Sequence, residues 1–160
     1  MTAFKSRLTR QRGILLSGTG GPSTFGVDLT FPAIPWYHKE YEVGAGVIVP
    51  SLPATEVPIP LGVSFVQFFG QVYFNSQATQ YLVGVDIYVN GTTGWPGQPR
   101  ARGLINSLGP TILSIVSPPM YVVNGDTYSL RAFSSGVGTV VDMSSNKTWL
   151  CMKVIVGVGN

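Results

Sequence analysis

The clearest pattern of apolar and polar positions lies near the end of the chain. In residues 121–133, Thr127, Ser129, Arg131 and Phe133 alternate with Tyr128, Leu130 and Ala132, and this two-residue period predicts a strand with two distinct faces. In residues 148–158 both faces are apolar except at Lys153. A strand of that kind packed on a single core would leave a hydrophobic strip in water, so a second packing partner is expected.

The strongest alternation upstream covers residues 63–74. Val66, Phe68, Val72 and Phe74 form a purely apolar face, and Phe65, Gln67, Phe69, Gln71 and Tyr73 form a face that mixes aromatics with glutamine. The first suits a core. The second suits a subunit contact, where aromatics are enriched and formal charges depleted. A further strand is predicted over residues 81–90, with Tyr81, Val83, Val85, Ile87 and Val89 on one face and a tight turn at Asn90-Gly91. A Gly- and Pro-rich loop carrying Trp95 spans 92–102, and short strands follow at 102–108 and 111–116. Before them, 43–50 and 56–61 read as short pieces confined to sheet edges by prolines. About eight short strands with turn signals and no helical period predict an antiparallel sandwich or barrel.

Residues 1–42 show no sustained period. Glycines and prolines interrupt any regular element, so the segment reads as an extended N-terminal arm with at most one short strand near Ile14 to Leu16. The expected division is therefore an arm at 1–42 and a sandwich domain at 43–160. Phe25, Phe31, Trp36 and Tyr37 in the arm would be costly to leave in water and are expected to dock on the chain's own surface or a neighbour's.

Composition sharpens this picture. The 160 residues fit one domain, and the chain is 44% hydrophobic but only 11% charged, about half the usual charged fraction, which points to surface covered in an assembly. The net charge of +3 conceals an asymmetry: Lys5, Arg7, Arg10 and Arg12 fall in the first twelve residues, leaving six basic against seven acidic residues in the rest of the chain. Such an arm can grip an acidic surface. Nucleic-acid binding is not expected, because no basic face with interleaved aromatics continues into the domain. No run approaches the length of a membrane span, and the short Ile14-Leu15-Leu16 run falls well short of a secretory signal.

Catalytic chemistry finds little to stand on. The seven carboxylates are scattered, with only Glu40 and Glu42 near neighbours, and one histidine and one cysteine, His38 and Cys151, do not make a metal site or a nucleophile pair. Ser17 to Ser23 is Gly-rich but lacks the ending of a phosphate-binding loop. No catalytic residue, metal or cofactor is expected.

Four segments recur in a telling order: 68–74 (FFGQVYF), 81–91 (YLVGVDIYVNG), 123–133 (VNGDTYSLRAF) and 148–155 (TWLCMKVI). Together they resemble the tumour-necrosis-factor-like and complement-like jelly roll over about residues 43–157. That resemblance implies an all-β antiparallel jelly-roll sandwich assembling as a homotrimer around strands of one sheet, the last strand included. Phe69, Gln71, Tyr73, Trp149 and Cys151 are the interface residues expected on this basis. Bacteriophages use similar domains as capsid decoration (cement) proteins and as fibre heads. The expected function is a non-enzymatic decoration protein on the capsid exterior, held to the major capsid protein by Lys5, Arg7, Arg10, Arg12, Phe25, Phe31, Trp36 and Tyr37. The alternative is a host-recognition fibre head, which a stalk of heptads would normally precede; none appears before residue 43.

Overall fold

The structure, a computed structural model, describes residues 12–43, 51–59, 61–92, 98–144 and 146–157. It is an antiparallel jelly-roll sandwich. The strands in chain order are β1 (Arg12–Ser17), β2 (Thr24–Val27), β3 (His38–Val43), β4 (Val57–Pro58), β5 (Val63–Phe74), β6 (Tyr81–Val89), β7 (Arg100–Ile105), β8 (Thr111–Val116), β9 (Met120–Tyr121), β10 (Thr127–Ser134), β11 (Thr139–Asp142) and β12 (Trp149–Gly157). Sheet A follows the order β2-β11-β5-β12-β1-β3, with β8 and β9 also paired to β5, and sheet B follows β4-β10-β6-β7.

Alternation places the core between the sheets. Val66, Phe68, Val72 and Phe74 of β5, with Leu150 and Met152 of β12, point inward from sheet A; Val83, Val85 and Ile87 of β6, with Leu130 and Ala132 of β10, point inward from sheet B. All are essentially removed from water, as the sequence alternation requires. A Cβ at Gly70 would lie 3.0 Å from the Ile115 side chain and 3.3 Å from that of Leu130 across the core, so any larger residue there requires both side chains to give way by a few tenths of an ångström. The Asn90-Gly91 turn forms as expected: both residues have positive φ (49° and 70°), and the Thr92 amide donates to the Val89 carbonyl at 2.8 Å.

The expected arm is corrected by the fold. Residues 1–11, with Lys5, Arg7 and Arg10, lie outside the described residues. From Arg12 onward the segment is part of the sandwich. β1 is an interior strand of sheet A, with Leu15 opposite Cys151 on one side and Tyr41 of β3 on the other, and β2 pairs with β11 through Phe25 and Val141. Ile14, Leu16, Val27, Ile34 and Trp36 are core residues. The physical reason is length: strands of four to six residues, separated by glycines and prolines, are too short to show a period, yet each donates alternate apolar residues to the same core.

Other boundaries shift less. In the run at 121–133 the turn chemistry of Asn124-Gly125-Asp126 is realised as a turn at Val123–Asp126 that separates β9 from β10, the strand expected at 102–108 runs over Arg100–Ile105, and the polar segment before β12 contains β11. Of the piece expected at 43–50, residues beyond Val43 lie outside the described set.

Tyr128 bridges the two sheets, its ring stacked on Phe68 at 4.8 Å between centroids. Burial, and secondarily the Asp126 charge, push its hydroxyl up to about 12 from the ordinary value of 10.0. A pKa raised in the folded state favours the neutral phenol. This stability contribution is full below about pH 10 and is lost as the pH rises toward 12. The Tyr128→Phe protein, which keeps the ring and lacks the ionisable group, is expected to lose less stability than the unaltered chain between those limits. Chemical denaturation across alkaline pH reads this directly, and identical curves for the two proteins would contradict it.

Candidate functional site

Each sheet has an outer face, and the two differ in how they are covered. Sheet B covers most of its own from within, leaving Leu82 and Leu104, opposite each other on β6 and β7, exposed. Asp86, almost fully buried, pairs with Arg102 through both oxygens and with Arg100 at 3.7 Å. The Arg102 guanidinium lies over Phe133, at 4.9 Å from its centroid, and Phe31 stacks on the same ring at 4.5 Å. Arg131 lies over Tyr88 at 4.5 Å. Charges, rings and a strap carrying Phe31 thus satisfy one another within a single chain.

Sheet A presents a different surface. Residues directly opposite in an antiparallel sheet share a face, so the registers define rows of side chains. One row runs Leu15, Cys151, Phe69, Val116 across β1, β12, β5 and β8; the next runs Ser17, Trp149, Gln71, Ser114. Tyr73 stands opposite Ile112, and Phe65 opposite Tyr121, with their rings edge-on at 5.6 Å. Ile112 is 53%, Val116 58% and Tyr121 69% exposed. Phe65 and Ile155 extend the same apolar surface and remain accessible.

The polar members of this face are mostly engaged from within. Gln67 Nε2 donates to the Ser117 carbonyl at 2.9 Å and Gln71 Nε2 to the Lys147 carbonyl at 3.0 Å. At the margin Lys147 Nζ sits over Tyr73 at 4.7 Å and donates to Asp142 at 2.8 Å. Burial alone would raise the Asp142 carboxyl, but hydrogen bonds from Lys147 and Ser144 and the Lys147 charge outweigh it and hold the group below the usual value. Lys153, opposite Gln67, brings a formal charge to the face. A contiguous apolar face with a polar margin has the composition of a protein–protein contact.

The five residues expected to form a subunit interface, Phe69, Gln71, Tyr73, Trp149 and Cys151, all fall on this one face of sheet A, on adjacent strands. Sequence reasoning missed its extensions, Ile112, Val116 and Tyr121. The alternation of exposed Ile112 and Val116 with buried Leu113 and Ile115 was the signal that could have found them. The expected capsid-binding aromatics do not gather on a free surface. Trp36 is in the core, Phe25 packs partly buried against it, Phe31 stacks on Phe133, and Tyr37 lies against Gly21, where a Cβ would overlap its ring. Arg12 belongs to β1.

Several carboxylates that could serve as acids or bases are tied to structural partners. Asp28 accepts from Thr30, whose hydrogen bonds lower its pKa; Glu40 accepts from Ser17 at 2.6 Å; Asp126 accepts from Asn90 at 2.8 Å. Among the described residues no group of three or more histidine, cysteine or acidic side chains could hold a metal, and no helix is long and apolar enough to cross a membrane.

No family model matches the chain, and no curated protein matches it. Solved structures do. A crystal structure of murine APRIL at pH 5.0 superposes with a TM-score of 0.59 at 14% identity, covering 91% of this chain and 100% of that one. Murine APRIL at pH 8.0 gives a TM-score of 0.57 at 14% identity with the same coverage. Eiger TNF from S. frugiperda gives 0.52 at 12% identity, covering 94% of this chain and 96% of that one. The likeness is one of fold: the chain is a TNF-like jelly roll, and the match begins well before residue 43, consistent with β1–β3 being part of the domain.

Proposed function

We propose that this protein is a structural, non-catalytic component of a virus particle, a bacteriophage capsid decoration protein that works as a homotrimer whose subunits meet through the outer face of sheet A. The observation that carries the assembly is the contrast between the two outer faces. Sheet B covers most of its outer face with ion pairs and stacked rings and exposes the Leu82–Leu104 pair, whereas sheet A leaves Ile112, Val116, Tyr121 and Ile155 accessible in continuity with Phe65, Phe69 and Trp149. Removing apolar area of this kind from water is worth about 25 cal/mol per Å², and a face shared by identical subunits is the economical cover for it.

The role on the particle is supported by the resemblance of the ordered segments to jelly rolls that bacteriophages place on their capsids. The anchor is narrower than the sequence pattern suggested. Phe25, Phe31, Trp36 and Tyr37 are engaged inside the domain, so attachment to the major capsid protein falls to the basic positions Lys5, Arg7 and Arg10. Electron microscopy of purified particles is the test, with density for three jelly rolls expected on the capsid exterior. Finding the domain only at fibre tips would replace decoration by host recognition, and its absence from particles would overturn the virion reading. Changing Lys5, Arg7 and Arg10 to glutamine is expected to weaken attachment chiefly at low ionic strength, where charge attraction reaches furthest. Undiminished occupancy at low salt would move the anchor to the jelly roll itself.

A further inference from the structure

Two Asn-Gly pairs, Asn90-Gly91 and Asn124-Gly125, form neighbouring turns joined through one carboxylate, that of Asp126. Its Oδ1 accepts from Asn90 Nδ2 at 2.8 Å, and its Oδ2 accepts from the Val123 amide at 3.1 Å. Both asparagines are exposed, so access to water does not separate them. Hydrogen bonding does. The Asn90 side chain is held at both ends, since its Oδ1 also accepts from the Thr127 amide at 2.8 Å. Among the described residues the Asn124 side chain has no hydrogen-bond partner, and the Gly125 amide donates to none. Gly125, at φ 92°, occupies the third position of a turn closed by the Asp126 amide on the Val123 carbonyl at 3.1 Å, and it has no side chain to obstruct its own nitrogen.

We infer that Asn124 is a site of spontaneous deamidation in the folded protein and that Asn90, with the same sequence neighbour, is protected. In the reaction the Gly125 backbone nitrogen, losing its proton to solvent base, bonds to Asn124 Cγ, and the side-chain amide nitrogen leaves as ammonia. Water then opens the resulting succinimide at either carbonyl, giving aspartate or isoaspartate. No reactant other than water is consumed. At Asn90 the same attack requires the side chain to leave both Asp126 and Thr127 first. Releasing two hydrogen bonds, one of them to a charged group, slows the reaction there by roughly 30-fold. The product at position 124 adds a carboxylate to a turn already organised around Asp126, and the isoaspartate form lengthens the backbone where Val123 and Asp126 must meet. The protein therefore accumulates an acidic form with age, altered at the β9–β10 turn.

The test is incubation of the folded protein at mildly alkaline pH, with peptide mapping by mass spectrometry at both sites, beside the same chain in denaturant. Conversion at Asn124 is expected to lead Asn90 by roughly 30-fold when folded and by little when unfolded, because the local sequences then compete without their hydrogen bonds. Equal rates in the folded protein would overturn the inference. So would an unchanged ratio in denaturant, which would trace the difference to sequence. The Asn124→Ser protein should fold with the same melting temperature and lack the early acidic form; persistence of that form would also overturn it.

Discussion

A chain shortened to begin at residue 43 is expected not to fold. β1 lies between β12 and β3 in sheet A, so its loss strips a hydrogen-bonded neighbour from β12 along the whole register from Arg12 to Ser17. The same deletion removes Ile14, Leu16, Val27, Ile34 and Trp36 from the core. Trp36 alone carries much of this. It is fully buried, and its backbone is bridged to Ala54 by hydrogen bonds of 2.8 and 3.0 Å. Emptying such a site by Trp36→Ala costs about 3 to 5 kcal/mol, against a total stability of about 5 to 15 kcal/mol for a domain. The variant should therefore melt at a markedly lower temperature or fail to accumulate as folded protein. Circular dichroism melts of Trp36→Ala and of the shortened chain check this. Native-like melting of the shortened chain would show that β1–β3 are dispensable.

The second large effect concerns assembly without folding. Phe69 stands in the row Leu15, Cys151, Phe69, Val116 on the outer face of sheet A, away from the core that Phe68 and Gly70 face. Phe69→Lys places a charge in the middle of that face while leaving the inward side chains untouched. If subunits meet there, the ammonium is buried without a partner and next to Lys153, at a cost of at least about 2 kcal/mol per contact, or more than about thirtyfold in the association constant. The expected product is a folded monomer with a melting curve set by its own core. A variant that assembles as the unaltered chain does would place the contact elsewhere. Asp86→Ala on sheet B is the useful contrast: it takes the buried carboxylate from two half-exposed arginines, whose charges stay within reach of water, and should lower stability by about 1.5 to 3 kcal/mol without acting on the assembly face.

How far the sequence could be read depended on strand length. β5 and β12 are long enough for a two-residue period to declare itself; the core face of β5 was legible, whereas β12, apolar on both faces, left open which of them points inward, and the structure places Phe69, Gln71, Tyr73, Trp149 and Cys151 on one side. β2 has four residues and β1 and β3 have six, with Gly18 to Pro22 and Pro32 to Pro35 between them, and no periodicity survives over such short spans. The membership of β1 and β2 in the sandwich depends on pairings across more than a hundred residues of sequence, such as Leu16 with Leu150 and Phe25 with Val141, and β3 joins the sheet through β1. Propensity and pattern are local and cannot see those partners. The fate of Phe31 was hidden for a further reason: a phenylalanine at φ 56° is an exception to ordinary backbone preference, made possible by its stacking on Phe133.

The proposed trimer requires the outer face of sheet A to be covered by copies of the same chain. Analytical ultracentrifugation of the isolated protein at micromolar concentration measures that most directly. Sedimentation equilibrium is predicted to give three times the 17.1 kDa mass of the chain, with Phe69→Lys sedimenting as the single chain. A monomeric mass for the unaltered protein over the whole concentration range would contradict it.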